Sequence, residues 1–264
     1  MIIYKTSQEV VAMRASNRIV ARILSELKAL VRPGVSTRDL DVYAESRARE
    51  MGATPAFKGY RGYPASLCTS VNEEIIHGIP SSRALREGDI IGLDFGVLYQ
   101  GFYGDAAVTV SVGEISSEAQ RLIAVAETAF SKGVAQMKTG NRISDISHAI
   151  QMYVESEGFS VIRSFVGHGI GHSPHEEPQV PNFGPRGRGP KIKEGLTLAI
   201  EPMIAAGDWQ VEILDDGWTA VTKDRSLSAH FEHTVAMTSD GVEILSLGEP
   251  DDPADLSPEV KRNA

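Results

Sequence analysis

The sequence predicts an α+β fold built from two related halves, and three observations carry the prediction. A strand-like run is written twice. Arg86-Glu87-Gly88-Asp89-Ile90-Ile91-Gly92-Leu93-Asp94-Phe95-Gly96 reappears 107 positions later as Lys193-Glu194-Gly195-Leu196-Thr197-Leu198-Ala199-Ile200-Glu201-Pro202-Met203. Each copy is a basic residue, Glu-Gly, an apolar run and one carboxylate, and such a run reads as a strand buried on both faces. Helix punctuation keeps nearly the same frame. Gly34, Asp39-Leu40 and Gly52 are matched by Gly140, Asp145-Ile146 and Gly158 at an offset of 106. Finally, helical periodicity precedes the strand-like runs in both halves. With two units present, the pattern is an internal duplication and not a solenoid.

The elements follow in order. Thr6 and Glu9 form a T-x-x-E capping box, and Val10, Met13, Ile19, Ile23, Leu27 and Leu30 then fall at helical spacing. This helix should stop before Arg32-Pro33-Gly34. Ser36 or Thr37 caps a second helix running to Met51 and closed by Gly52. Further helices are expected from about Glu118 to Met137 and from Ile143 to Glu157. Between the second and third, a strand ending near Val97, a Tyr99-Gln100-Gly101 turn and a strand from about Phe102 to Val112 predict a bulged hairpin. The expected domain is residues 1–247, with halves near 30–112 and 137–247. Residues 248–264, with Pro250, Pro253 and Pro258 among acids, read as a surface tail.

Composition narrows the function classes. An apolar share of 42% is ordinary for a globular protein, and the net charge of −9 argues against a broad nucleic-acid surface. No apolar run reaches the roughly 18–20 residues needed to cross a membrane. Met1-Ile2-Ile3-Tyr4-Lys5 opens no secretory signal. Cys68 stands alone, so no intrachain disulfide is possible. A cytoplasmic protein is expected.

Carboxylates in apolar strands are the chemical signal, because burying an unpaired charge is costly. Folding about the Tyr99-Gln100-Gly101 turn sets Asp94 almost opposite Asp105, where the two would repel unless one held a proton or a cation lay between them. Glu201 takes the place of Asp94 in the second copy, and Glu232 lies in the strand-like run Ala229–Met237. The segment Gly167-His168-Gly169-Ile170-Gly171-His172-Ser173-Pro174-His175 has zinc-helix spacing at His168 and His172, but its glycines and proline argue against a helix. They permit a bend that aims His168 and His175 at one cleft. His77, alone at a strand-to-turn junction, reads by itself as a structural histidine. One imidazole with four carboxylates is an oxygen-rich set that suits Mn²⁺, Fe²⁺, Co²⁺ or Zn²⁺, and four carboxylates would neutralise two divalent ions.

Asp94, Asp105, His168, Glu201 and Glu232, in that order, resemble the five metal ligands of the type I methionine aminopeptidases of metallopeptidase family M24. Six motifs strengthen the resemblance, which spans about residues 5–247: Asn72-Glu73-Glu74-x-x-His77-Gly78-Ile79-Pro80, Gly104-Asp105-x-x-x-Thr109, Gly167-His168-Gly169-Ile170-Gly171, His175-Glu176-x-Pro178, Ile200-Glu201-Pro202-Met203 and Phe231-Glu232-His233-Thr234. It implies the pita-bread fold, two pseudo-symmetric halves around a curved antiparallel sheet. It also implies removal of the initiator methionine from nascent polypeptides, with a small second residue preferred. Asp94 would hold one metal, His168 and Glu201 the other, with Asp105 and Glu232 bridging. Attack by hydroxide held between the two metals is implied, with Glu201 shuttling the proton. His77 would contact substrate near the scissile amide, and His175 its carbonyl. Tyr60, Tyr63, Cys68 and Trp218 match the methionine pocket, joined by Phe57. Pro174 stands where the family often has an aromatic residue, so one pocket wall is expected to differ.

The nearest bacterial-like form would act as a monomer on chains near the ribosome, with no specific nucleic acid and no membrane partner. Two rivals share the fold. A prolidase or aminopeptidase P relative would need a large domain ahead of the first ligand, and a non-catalytic module would have lost ligands that are all present here. A di-iron bundle would need Glu-x-x-His pairs on helices, which these ligands lack.

Overall fold

A computed structural model describes residues 1–248; the remainder of the expected tail lies outside the described residues. Four helices, α1 (Ser7–Leu30), α2 (Thr37–Glu50), α3 (Ser117–Val134) and α4 (Ile143–Ser156), begin where the sequence offers partners for their free N–H groups. Glu9 N donates to Thr6 Oγ1 at 3.3 Å and Thr6 N to Glu9 Oε2 at 2.7 Å, closing the expected capping box. Ser36 and Asp39 repeat it at the start of α2. In α4 the acid is kept without the hydroxyl: Arg142 N donates to Asp145 Oδ2 at 2.8 Å. Both α2 and α4 give way to a glycine in the left-handed region, Gly52 at φ 74° and Gly158 at φ 82°, which ends a helix without a Cβ clash.

Nine strands form one curled antiparallel sheet. Ile90–Tyr99 pairs with Thr54–Pro55 and Leu67–Val71 on one side and with Phe102–Ser111 on the other. Phe102–Ser111 then meets Glu232–Thr238 from the second half, followed by Thr197–Ile200, Val166–Gly169 and Glu176–Pro181. Gly241–Ile244 also pairs with Glu232–Thr238.

The duplication is visible in repeated contacts. Gly34 N donates to Leu85 O at 2.8 Å and Gly140 N to Ile192 O at 3.3 Å. The bridges Ser36↔Ala84 and Arg142↔Lys191 are equivalent. So are the turns closed by Asp89 N to Arg86 O and Leu196 N to Lys193 O, at 3.1 and 3.2 Å. The core divides the same way. One apolar cluster joins α1 and α2 to the first half's strands through Ile23, Leu27, Leu40, Leu93 and Phe95. Another joins α3 and α4 to the second through Leu122, Phe130, Ile146, Leu198 and Val235. Each such side chain contributes about 1.5–3 kcal/mol on burial.

The hairpin is tighter than its sequence suggests. Pairing runs unbroken from Ile90↔Ser111 to Tyr99↔Phe102, so no bulge forms and the first strand continues past Val97. Gln100 and Gly101 alone make the turn, at φ 50° and 83°. Two positive φ values in a two-residue loop match the twist of the flanking strands. Asp94 therefore opposes Ala107, and Asp105 opposes Gly96. The two acids sit diagonally on one face instead of directly opposed.

Candidate metal centre

That register opens a cavity in the sheet's concave face. A Cβ at Gly96 would come within 3.2 Å of Asp105 Oδ1 and 3.0 Å of Phe57. Ala107 lies between Asp94 and Glu232, its pairing partners on either side. Small residues thus alternate with the acids and leave space above them. All twelve candidate residues line this one cavity: the five candidate ligands, His77, His175, and the pocket residues Phe57, Tyr60, Tyr63, Cys68 and Trp218. Pro174 is buried and is not among the lining residues.

Both halves supply the acids. Asp94 and Asp105 come from the first hairpin; Glu201 follows Thr197–Ile200, and Glu232 begins the strand next to Phe102–Ser111. Asp105, Glu201 and Glu232 are buried, while Asp94 is half-buried. The junction between the halves registers Glu232↔Ala107 and His233↔Ala106. Beyond these pairs threonine hydroxyls take over from the ladder. Thr109 Oγ1 donates to His230 O and accepts from His230 N, both at 2.9 Å. Thr234 Oγ1 donates to Asp105 O at 2.8 Å and accepts from Asp105 N at 3.3 Å.

His168 is oriented by its own strand. A carbonyl can only accept, so Nδ1–H donates to Gly169 O at 2.9 Å, and the Nε2 lone pair faces the cavity, 3.5 Å from Glu201 Oε1. The hairpin bend brings the rings of His168 and His175 to 4.3 Å between centroids. His175 stacks on Tyr60 at 5.2 Å and meets its hydroxyl at 3.0 Å from Nδ1. His77 sits at φ 60°, edge-on to Phe165 and Trp218. Beside them Tyr63, Cys68, Phe57, Ile79 and Trp218 make an apolar cluster, with Tyr63 Oη donating to Gly78 O at 2.9 Å.

Electrostatics follow from burial. It pushes the Asp94 carboxyl up to about 7, against a hydrogen bond from Cys68 that acts to lower it. Burial, reinforced by the neighbouring carboxylates, raises Asp105, Glu201 and Glu232 well above the usual range. Burial also favours neutral imidazoles. His168 falls to about 3, with His175 adding to the effect, and His77 to about 4. His175 is lowered by burial and then by the Arg61 guanidinium.

Sequence reasoning did not single out Arg61, Ile76 or His230, which line the same cavity. His230 is buried, with Nε2 3.7 Å from Glu201 Oε2 and 3.8 Å from Glu232 Oε2, and burial lowers it to about 3. Its signal was its place two residues before Glu232.

The donor set fits a divalent cation. Asp105 Oδ1 and Glu232 Oε1 are buried without any hydrogen-bond partner, a costly state for a carboxylate. Ligand atoms of Asp105, His168 and Glu232 lie within 4.8 Å of one another. Oxygen donors with one imidazole nitrogen suit a hard or borderline metal.

Comparisons with known proteins agree. The description Metallopeptidase family M24 matches residues 11–239. The methionine aminopeptidase of Clostridium perfringens is 53% identical over 247 residues, 94% of this chain and 99% of that protein. Methionine aminopeptidase 1 of Bacillus subtilis is 51% identical over 246 residues, 93% and 99% of the two chains. The crystal structure of methionine aminopeptidase from Thermotoga maritima has a TM-score of 0.92 at 46% identity, covering 94% of this chain and all 100% of that one. Prolidase from Pyrococcus furiosus, at 20% identity and a TM-score of 0.77, shares the pita-bread fold alone. The chain belongs to metallopeptidase family M24, among its bacterial methionine aminopeptidases.

Proposed function

We propose that the chain removes the initiator methionine from new polypeptides, preferring those with a small second residue, and that it works with two divalent ions. The observation that carries this reading is the convergence of four carboxylates and one imidazole, drawn from both halves, on a cavity that opens against an apolar pocket. Asp94, Asp105, His168, Glu201 and Glu232 would hold the ions, since four carboxylates balance two divalent charges. When bound, such ions lower the pKa of water toward about 7 and polarise a carbonyl.

The chain's own side chains do the rest. Tyr63, Cys68, Phe57 and Trp218, with Tyr60 at the rim, would enclose the methionine side chain, whose thioether adapts to an irregular apolar wall. His77 is neutral at pH 7 and can hydrogen-bond the substrate beside the scissile amide. If Tyr60 Oη donates to His175 Nδ1, His175 Nε2–H is free to donate to the substrate carbonyl, a bond that strengthens as that oxygen gains charge. Burial favours a protonated Glu201 in the metal-free chain; with the ions bound its carboxylate would be ionised, and it could then take a proton from the attacking water and pass it to the departing amine. By the same reading the enzyme would be a cytoplasmic monomer acting on chains that leave the ribosome.

The test uses chain purified without air and loaded with Mn²⁺, Fe²⁺ or Co²⁺. Met-Ala-Ser should release methionine readily and Met-Lys-Ser should not. Failure on both peptides with all three ions would sink the reading.

A further inference from the structure

Glu176 follows His175 in the H-E-x-P motif, yet it does not line the cavity. It forms an ion pair with Lys5, the residue just before the cap of α1, with Nζ and Oε2 2.6 Å apart and side-chain exposures of 0% and 5%. Lys5 Nζ also donates to Ile3 O at 3.0 Å. The other carboxylate oxygen, Glu176 Oε1, accepts from His172 N at 2.8 Å and Ser173 N at 3.2 Å. The turn from Gly171 to Glu176 is therefore wrapped around its own last carboxylate, and His175 is carried in that turn.

Lys5 is itself fixed. Its N–H donates to Gly195 O at 2.7 Å. A Cβ at Gly195 would collide with the Lys5 backbone, and one at Gly171 with the Lys5 side chain. The lysine stem fills space left by the missing side chain at 171. A second, exposed tie runs from Glu9 in α1 to His172, at 3.1 Å.

A buried ion pair is a weak device for stability, because desolvation offsets most of the attraction and well-packed apolar residues often do as well. What an apolar pair cannot do is gather two successive backbone N–H groups onto one oxygen. We infer that Lys5 and Glu176 form a positioning pair for His175, setting the imidazole where it meets the substrate carbonyl. This rests on the role proposed above for His175. Neither residue would touch substrate; both act through the turn. Displacements near 1 Å at a catalytic group can lower turnover by about a hundredfold.

The test is a double-mutant cycle on the full, metal-loaded chain with Met-Ala-Ser. Lys5→Met and Glu176→Gln are each made in the wild-type and His175→Ala backgrounds. Lys5→Met/Glu176→Leu is made alongside, since it leaves no buried charge unpaired and keeps the test alive if a single variant fails to fold. In the wild-type background kcat should fall by about tenfold or more, with KM within about threefold and metal content unchanged. In the His175→Ala background the same substitutions should change kcat by less than about twofold, because the group they position is gone. A merely structural role would lower turnover equally in both backgrounds, and that result overturns the inference. So does full kcat in the folded double variant, or no loss from His175→Ala itself. A wild-type chain that cleaves no peptide defeats the proposed function and this inference together; an active wild type with additive losses defeats only this one.

Discussion

Stripping the metal should leave a protein that becomes less stable as pH rises above neutrality. In the metal-free chain burial holds Asp94 near 7 and pushes Asp105, Glu201 and Glu232 well above the usual range. In the unfolded chain these groups titrate near 4. Above about pH 6.5 the unfolded state has therefore shed protons that the folded state still holds. Stability falls with pH wherever the folded state binds more protons. The buried imidazoles act in the opposite sense. His77, held near 4, and His168 and His230, held near 3, lose stability in acid as their unfolded counterparts charge. Their unfolded counterparts, titrating near 6.5, are about nine-tenths neutral only by about pH 7.5, so the window above that belongs to the carboxylates. One extra proton in the folded state corresponds to about 1.4 kcal/mol per pH unit. For a chain of this size that is a fall in Tm of about 3 °C per unit, and more if several carboxyls contribute. The assay is calorimetry from about pH 7.5 to 8.5 on chelator-treated chain, with a second series in saturating Mn²⁺. Metal binding displaces the protons, so the stabilisation by Mn²⁺ should grow as pH rises. A metal-free Tm that is flat or rises across this window would refute the reasoning.

Other expectations rest on single positions. Gly104→Ala would place a Cβ 2.9 Å from Asn17 N and Ser16 C, backbone atoms of α1 that cannot give way; a loss of about 1–3 kcal/mol is expected, and an unchanged melting temperature would contradict the packing. At Glu26, burial raises the carboxyl, but hydrogen bonds from Arg47, Arg22 and Tyr43 outweigh it and hold the group at about 2. Glu26→Gln should cost about 1–2 kcal/mol at pH 7; in urea titrations the gap to wild type should narrow as pH falls from 4.5 toward about 2, and a constant gap would count against the network. Gln100→Asn should stabilise by up to about 1 kcal/mol, since asparagine tolerates the positive φ of this turn better; a lower urea midpoint would contradict the turn geometry.

The parts of this site legible in the sequence were those with a local cost. Asp94 and Glu201 stood out because a carboxylate in an apolar run must be accounted for. Their offset of 107, one more than the 106 of Gly34/Gly140 and Gly52/Gly158, made the two halves visible before any strand was paired. Register was harder to read. Gly101 announced a turn, but Gln100 is a poor left-handed residue, so the residues pointed to a bulge where the chain instead strains Gln100 and keeps the ladder intact. His230 was hidden beside a stronger signal. His233, one residue past Glu232, packs against Phe130 and Phe231 and meets Ser246 at 2.8 Å, so only alternation from Glu232 could have told the two histidines apart. Lys5 carried no signal at all. It reads as an ordinary charge ahead of a helix, and its partner lies 171 positions away.

The junction between the halves joins these arguments. The first hairpin is laddered along its whole length, whereas Phe102–Ser111 and Glu232–Thr238 register Glu232↔Ala107 and His233↔Ala106, flanked by threonine bridges. Asp94 and Asp105 lie on one side of this seam; His168, Glu201 and Glu232 lie on the other. Carboxylates that ionise here repel one another across the thinnest part of the sheet, while a cation held between them ties the halves together. Local opening should therefore start at the seam, because stability is lowest where hydrogen bonds are few and charge is crowded. Hydrogen exchange at pH 7.5 should show the amides of Asp105 and His230 slowed by about tenfold or more on Mn²⁺ loading, while those of Leu93 and Val108 in the hairpin change far less. Equal protection at all four positions would mean that the metal acts on global unfolding alone, and that the duplicated halves meet at a joint no weaker than either half.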